Sequence, residues 1–108
     1  MKKGEIWIAQ LPTLSGHEQE GVRPVIILSD VIASLTLIIP CTSNIQALRF
    51  PHTLEIGPSK KNGLKAFSVA MIFQIRAVDK NRLKHKVGVL ESAFIREINK
   101  MLKEMLSL

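Results

Sequence analysis

Two short segments of this chain hold residues that could act together on a phosphate. Gly16-His17-Glu18-Gln19-Glu20-Gly21-Val22-Arg23-Pro24 leads into an apolar run, and Pro40-Cys41-Thr42-Ser43-Asn44 leaves the next one. Arg23 stands just before the first run and Thr42 just after the second. If the two runs are strands paired antiparallel through a turn at residues 29–34, their outer ends meet and Arg23 comes near Thr42. A guanidinium is a permanent cation with a rigid fork of donors. Beside two hydroxyls and a His-Glu loop it makes a phosphate site.

Other chemistries lack their residues. His17, His52, His85 and Cys41 lie in separate segments without HxxxH or CxxC spacing, so no metal centre is expected. Glycine-rich phosphate loops of the Walker or Rossmann type are absent, which argues against nucleoside triphosphates and dinucleotides, and no cofactor is expected. Cys41, the single cysteine, follows Ile39-Pro40 at a strand end and reads as a small buried apolar residue rather than a nucleophile.

The elements that must position Arg23 and Thr42 read as short strands followed by one helix. Residues 5–9 are β-prone and closed by Pro12; a loop follows from Thr13 to Val22. Residues 24–28 and 35–39 are continuous apolar runs of strand length. Residues 52–56 form a weaker strand, and 58–63 a basic turn. From Phe67 to Ile75 the pattern alternates, with Phe67, Val69, Met71, Phe73 and Ile75 on one face. Asp79 is placed to cap one helical turn over residues 80–82. From Glu91 to Ser107 the period changes: Phe94, Ile95, Ile98, Met101, Leu102, Met105 and Leu106 make the stripe of an amphipathic helix that covers the sheet. Strands in series with turn-rich links favour a small barrel or a strongly bent sheet, with no internal repeat.

Length, charge and composition narrow the class. At 108 residues the chain is one domain, 1–108, able to bury about two-thirds of its unfolded surface without disulfides. The basic start Met1-Lys2-Lys3 runs directly into Gly4-Glu5, so no export signal is expected. Asp30 and the flanking hydroxyls break the one long apolar stretch, so neither is a membrane span. A cytoplasmic protein follows. Fifteen Lys and Arg against nine Asp and Glu give a net charge of +6, and the excess lies between Glu55 and Leu90, where eight bases face two acids. Such a surface suits a polyanion such as RNA, DNA or an acidic protein segment; charge alone is equally satisfied by a solvated lysine-rich surface.

The strings GHEQEGVRPVIILS, IIPCTSN and SVAMIFQIRAVDKNRL, in that order, resemble the signature stretches of the MazF/PemK toxins of bacterial and archaeal toxin–antitoxin systems. The likeness runs from Gly4 to about Leu83, with the helix at the expected place, and is specific as a set rather than through any one stretch. It implies a mainly β fold, a small SH3-like barrel with a C-terminal helix, and a homodimer. It implies a metal-independent endoribonuclease that cuts single-stranded RNA at a short sequence. It also implies a cognate MazE/PemI-like antitoxin whose acidic tail blocks the RNA groove, with operator DNA reached through the antitoxin complex. A non-enzymatic relative of the same fold, a gyrase poison or a nucleic-acid-binding regulator, is the alternative.

On the resemblance, Arg23 and Thr42 are the catalytic pair. RNA carries its own nucleophile, the 2′-oxygen, so the protein must supply a base, an acid and positive charge for the phosphorane. A guanidinium is too basic to give up its proton, which assigns Arg23 to charge stabilisation. Thr42, with Ser43, holds a phosphate oxygen. His17 has the best intrinsic match to neutral pH, and Glu18 is the second choice for proton transfer. Asn44, Gln19, Phe73, Gln74, Lys60 and Lys61 are the further RNA-binding candidates, the face bearing Phe73 serving as a floor on which bases stack. Some relatives carry an acidic residue and an arginine where this chain has Phe73 and Met71, which moves acid–base work off that strand. Val69 and Met71 have plain core as the competing reading, and Trp7 is expected in core or dimer packing.

Overall fold

The two apolar runs form the centre of an antiparallel sheet, because β-branched chains buried on both faces need hydrogen-bonded neighbours on both edges. A computed structural model describes residues 1–12, 21–30 and 33–108. Its strands are β1 (Glu5–Leu11), β2 (Gly21–Asp30), β3 (Leu35–Thr42), β4 (Thr53–Ile56), β5 (Ser68–Met71), β6 (Arg76–Asp79) and β7 (Leu83–Val89), followed by one helix, α1 (Ser92–Leu106). The order across the sheet is β4-β5-β3-β2-β1-β7, and β6 also pairs with β3. The expected mainly β fold with a C-terminal helix is the one observed.

Strand β3 changes partner along its length. Residues 35–38 pair with β6, whereas Cys41 and Thr42 pair with β5. Pro40, which has no N–H to donate, falls in the gap between the two ladders, where its missing donor costs nothing. Strand β3 thus passes from one ladder to the other at Pro40, and the two faces of the sheet bury separate cores. One holds Ile6, Ile26, Ile39, Cys41, Ala70 and Ile72 beneath Ile98 of α1, with Phe94, Ile95, Met101, Leu102 and Met105 packed around it. The other holds Ala9, Leu11, Val25, Ile27, Ile38, Val78 and Leu83, with Trp7 against it.

Several expected boundaries move. β2 begins at Gly21 and β3 ends at Thr42, so Val22, Arg23 and Thr42 are strand residues. The alternating run from 67 to 75 is a strand only over Ser68–Met71 and then turns through a 3-10 helix, Ile72–Gln74. All four residues of β5 are buried, since the strand is covered on both faces; Phe67 and Phe73 lie beyond its ends and are exposed. β6 and β7 were not anticipated, because at their charged exposed residues the apolar alternation is too thin to register. The capped turn is present, Asp79 accepting from the Asn81 N–H at 3.0 Å. Leu106, placed on the helix stripe, is 52 % exposed, because the stripe runs past the edge of the sheet there.

A buried polar knot fixes the segment between β4 and β5. Asn62 is fully buried: its amide nitrogen donates to the Gly57 carbonyl at 2.9 Å and to Glu91 at 3.2 Å, and its oxygen accepts from the Ser59 and Leu64 N–H groups, each at 3.0 Å. The Ser59 hydroxyl donates to the other Glu91 oxygen at 2.9 Å. Gly63 has φ +70, and a Cβ there would overlap the Val87 carbonyl oxygen, so the segment lies hard against β7. Burial pushes the Glu91 carboxyl up, but its own N–H, Ser59, Asn62 and the nearby Lys61 charge outweigh that and hold it below the usual carboxylate range.

Two outcomes follow from this packing. Ile98→Ala should lower the unfolding free energy by about 2–5 kcal/mol in a denaturant titration, while Leu106→Ala should change it by less than about 0.5 kcal/mol. Because the folded Glu91 pKa is lowered, its contribution is fully present above the ordinary carboxylate range and disappears as pH falls through the lowered value. Glu91→Gln should therefore be less stable than the natural chain at pH 7, and the gap should close on acidification below about pH 4.

Candidate active site

The β2–β3 ladder pairs Ile27 with Ile38, Ile26 with Ile39 and Val25 with Pro40. Two residues further out, Arg23 and Thr42 stand at the same end of the ladder. Each is pinned from its other edge, Arg23 opposite Ala9 of β1 and Thr42 opposite Val69 of β5. The antiparallel pairing expected from sequence is thus present, and it carries both residues to one end of the sheet.

The single cleft expected to hold both Arg23 and Thr42 is instead two adjoining cavities, with Thr42 lining one and Arg23 the other. Successive residues at the exit of β3 point to opposite sides, so Cys41-Thr42-Ser43-Asn44 forms a wall between them. Thr42 and Asn44 border a first cavity of about 480 Å³, and Cys41 and Ser43 border a second of about 450 Å³, which Arg23 also lines.

The first cavity is built on the 3-10 helix Ile45–Arg49. Asn44 caps it, its side chain accepting from the Gln46 N–H at 3.0 Å, and the Asn44 N–H donates to the Thr42 hydroxyl at 3.2 Å. Thr42 is 7 % exposed; its hydroxyl oxygen accepts that bond, which leaves the hydroxyl hydrogen to donate into the cavity. Phe50 and Phe73 face each other across the opening with ring centroids 5.7 Å apart and planes tilted by 48°. The Arg49 guanidinium lies 5.1 Å over the Phe50 ring. Gln46 and Gln74 add amides. Partly exposed rings beside amides and a cation form a surface that stacks and hydrogen-bonds planar polar rings. Val69 and Met71 are buried with Ala47 beneath it, as core, while Phe73 reaches the opening.

Arg49, Phe50 and Gln46 were missed from sequence. The only sign was a cation next to an aromatic in a stretch without periodicity. The second cavity adds Lys65 and His85, likewise unforeseen, and Phe67, which the sequence put on the stacking face with Phe73 but which lines the other cavity. Lys60 and Lys61 are exposed on the turn after β4 and border neither cavity. His17, Glu18 and Gln19 lie outside the described residues. Burial pushes the Cys41 thiol up to about 12, which keeps it protonated and inert, as anticipated. Among the described residues no group of three His, Cys, Asp or Glu could hold a metal ion, and no helix is long and apolar enough to cross a membrane.

Known proteins are similar to this chain over nearly all of its length. Endoribonuclease MazF of Staphylococcus saprophyticus is 37 % identical over 103 residues, covering 92 % of this chain and 85 % of the relative. Endoribonuclease EndoA of Bacillus subtilis is 31 % identical over 112 residues, covering 100 % and 96 %. The crystal structure of MazF from Deinococcus radiodurans superposes with a TM-score of 0.83 at 20 % identity, covering 100 % of this chain and 97 % of that one. A MazE–MazF crystal structure from the same organism gives 0.74 at 21 % identity, covering 100 % and 96 %. The family model for the PemK-like, MazF-like toxins of type II toxin–antitoxin systems matches residues 2–106, and the chain belongs to that family.

Proposed function

We propose that this chain is a toxin whose activity is endonucleolytic cleavage of single-stranded RNA, held in check by a cognate antitoxin. The observation that carries the reading is the joining of that family's framework to a hydroxyl, two partly exposed rings and a guanidinium at one end of the β2–β3 ladder. A MazE-like antitoxin partner is supported by the MazE–MazF structure of the same fold. A homodimer, action in the cytoplasm and operator binding through the antitoxin complex belong to the same reading.

The reaction needs no cofactor, because RNA supplies its own attacking group. The 2′-oxygen attacks the adjacent phosphorus as its proton is removed. The P–O5′ bond breaks as the leaving oxygen is protonated, and the products are a 2′,3′-cyclic phosphate and a 5′-hydroxyl. Charge on the non-bridging oxygens rises towards the phosphorane, and a guanidinium beside them stabilises that state more than the ground state. Arg23 takes this role. Thr42, held by the Asn44 N–H with its own hydrogen free to donate, fixes one non-bridging oxygen, and Ser43 supports it from the other side of the wall. Phe73 and Phe50 stack a base beside the scissile link, with Asn44 and Gln74 reading its edge. His17, with Glu18 as second choice, moves the protons, and Gln19, Lys60 and Lys61 contact the strand further out.

Purified protein incubated with a long single-stranded RNA in EDTA should cut it and leave cyclic-phosphate ends. Arg23→Ala should slow cutting by about 10²–10³-fold with the fold intact. Intact RNA across varied sequences, with gyrase stalled in a supercoiling assay or operator DNA bound instead, would favour a non-enzymatic role.

A further inference from the structure

We infer that the second cavity is a nucleotide subsite, holding the nucleotide on the other side of the scissile phosphate from the one stacked on Phe50 and Phe73. The inference rests on the RNA-cleavage reading above and assigns a second part of the same substrate.

The wall Cys41–Asn44 is only one strand thick, and consecutive side chains open on its two sides. A strand of RNA whose phosphate lies over Thr42 and Ser43 must therefore send its neighbouring nucleotides into different cavities. The second cavity has the size of small-ligand pockets, roughly 300–1,000 Å³, at about 450 Å³. Its chemistry matches that of the first. Phe67 is 58 % exposed and offers a ring face to a base. Arg23 and Lys65 are cationic, exposed His85 adds an imidazole, and no Asp or Glu borders the cavity among the described residues. This favours a phosphate-bearing occupant.

The far wall is preorganised. Gly63 and Leu64 border the cavity immediately after the buried Asn62, which ties them to Glu91, while the Val89 N–H donates to the Lys61 carbonyl at 2.9 Å. Phe67 rests over Gly57, where an added Cβ would meet its ring at 3.5 Å. The ring and the wall are thus set before RNA arrives, which lowers the ordering cost of binding.

The test maps cut sites on a long defined RNA and measures kcat/KM on a short oligonucleotide carrying the mapped site. It uses the natural chain, Phe67→Ala, Lys65→Glu and Phe50→Ala. Phe67→Ala and Lys65→Glu should each lower kcat/KM about tenfold, mainly through KM, and Phe67→Ala should relax base preference on one side of the cut while Phe50→Ala relaxes the other. Lys65 is exposed, so its variant keeps the test readable even if Phe67→Ala disturbs the loop. A natural chain that cuts no RNA overturns the cleavage reading, and the subsite with it. A natural chain that cuts, with both second-cavity variants within twofold of it and unchanged in preference, overturns the subsite alone. So does relaxation of the same side by Phe67→Ala and Phe50→Ala. Variants that cut normally but bind a polyglutamate peptide less tightly would give the cavity to an acidic protein segment instead.

Discussion

The antiparallel ladder between β2 and β3 is the constraint on which everything else depends. Its register carries Arg23 and Thr42 to the same end of the sheet, and a shift by one position would exchange the faces of every residue on a strand. The register is held by burial: Val25, Ile27 and Ile38 fill one core, and Ile26 and Ile39 the other. Slippage would put every one of these side chains into the wrong core. The cost of misplacing a functional residue is therefore the cost of dismantling the hydrophobic interior. A site built on the ends of such strands is rigid without needing many contacts of its own.

Pro40 turns that ladder into a site. By leaving a gap between the β6 and β5 pairings, it lets the end of β3 leave one ladder and join another. The last residues then stand between two openings instead of inside a continuous sheet. Thr42 gains a fixed hydroxyl, because Asn44 caps the following 3-10 helix and turns its own N–H back onto it. The same cap aims Arg49 and Phe50 across from Phe73. In this chain the first cavity contains neither a carboxylate nor an imidazole among its described residues. On the proposed reading it holds and recognises RNA, and proton transfer falls to groups elsewhere.

The two central strands, the helix and its stripe, the capped turn at Asp79 and the inert Cys41 were all legible in the sequence. Each rests on a local pattern: an unbroken β-branched run, a 3.6-residue period, an Asp before a turn, a small residue among large apolar ones. β6 and β7 were not legible. Lys84, His85 and Lys86 are exposed on an edge strand held by backbone pairing with β1, and backbone pairing leaves no trace in side-chain type. The run through Phe67–Ile75 misled because a strand covered on both faces needs no alternation to continue or to stop; the 3-10 turn at Ile72 ended it. That Arg23 and Thr42 stand at the same end of the sheet was legible because strand pairing is a two-body argument. The division into two cavities, the separation of Phe67 from Phe73 between them, and the arrival of Phe50 and His85 beside them depend on where several segments fold in three dimensions.

The central claim is that Arg23 and Thr42 act on one phosphate in one transition state. A double-mutant cycle on kcat/KM for RNA cleavage tests it most directly, with Arg23→Ala, Thr42→Val and the double variant beside the natural chain. Groups that stabilise the same transition state are strongly non-additive, so the double variant should be no more than about threefold slower than the worse single variant. A double variant whose loss equals the product of the two single losses would show that the two residues work independently, and would contradict the account.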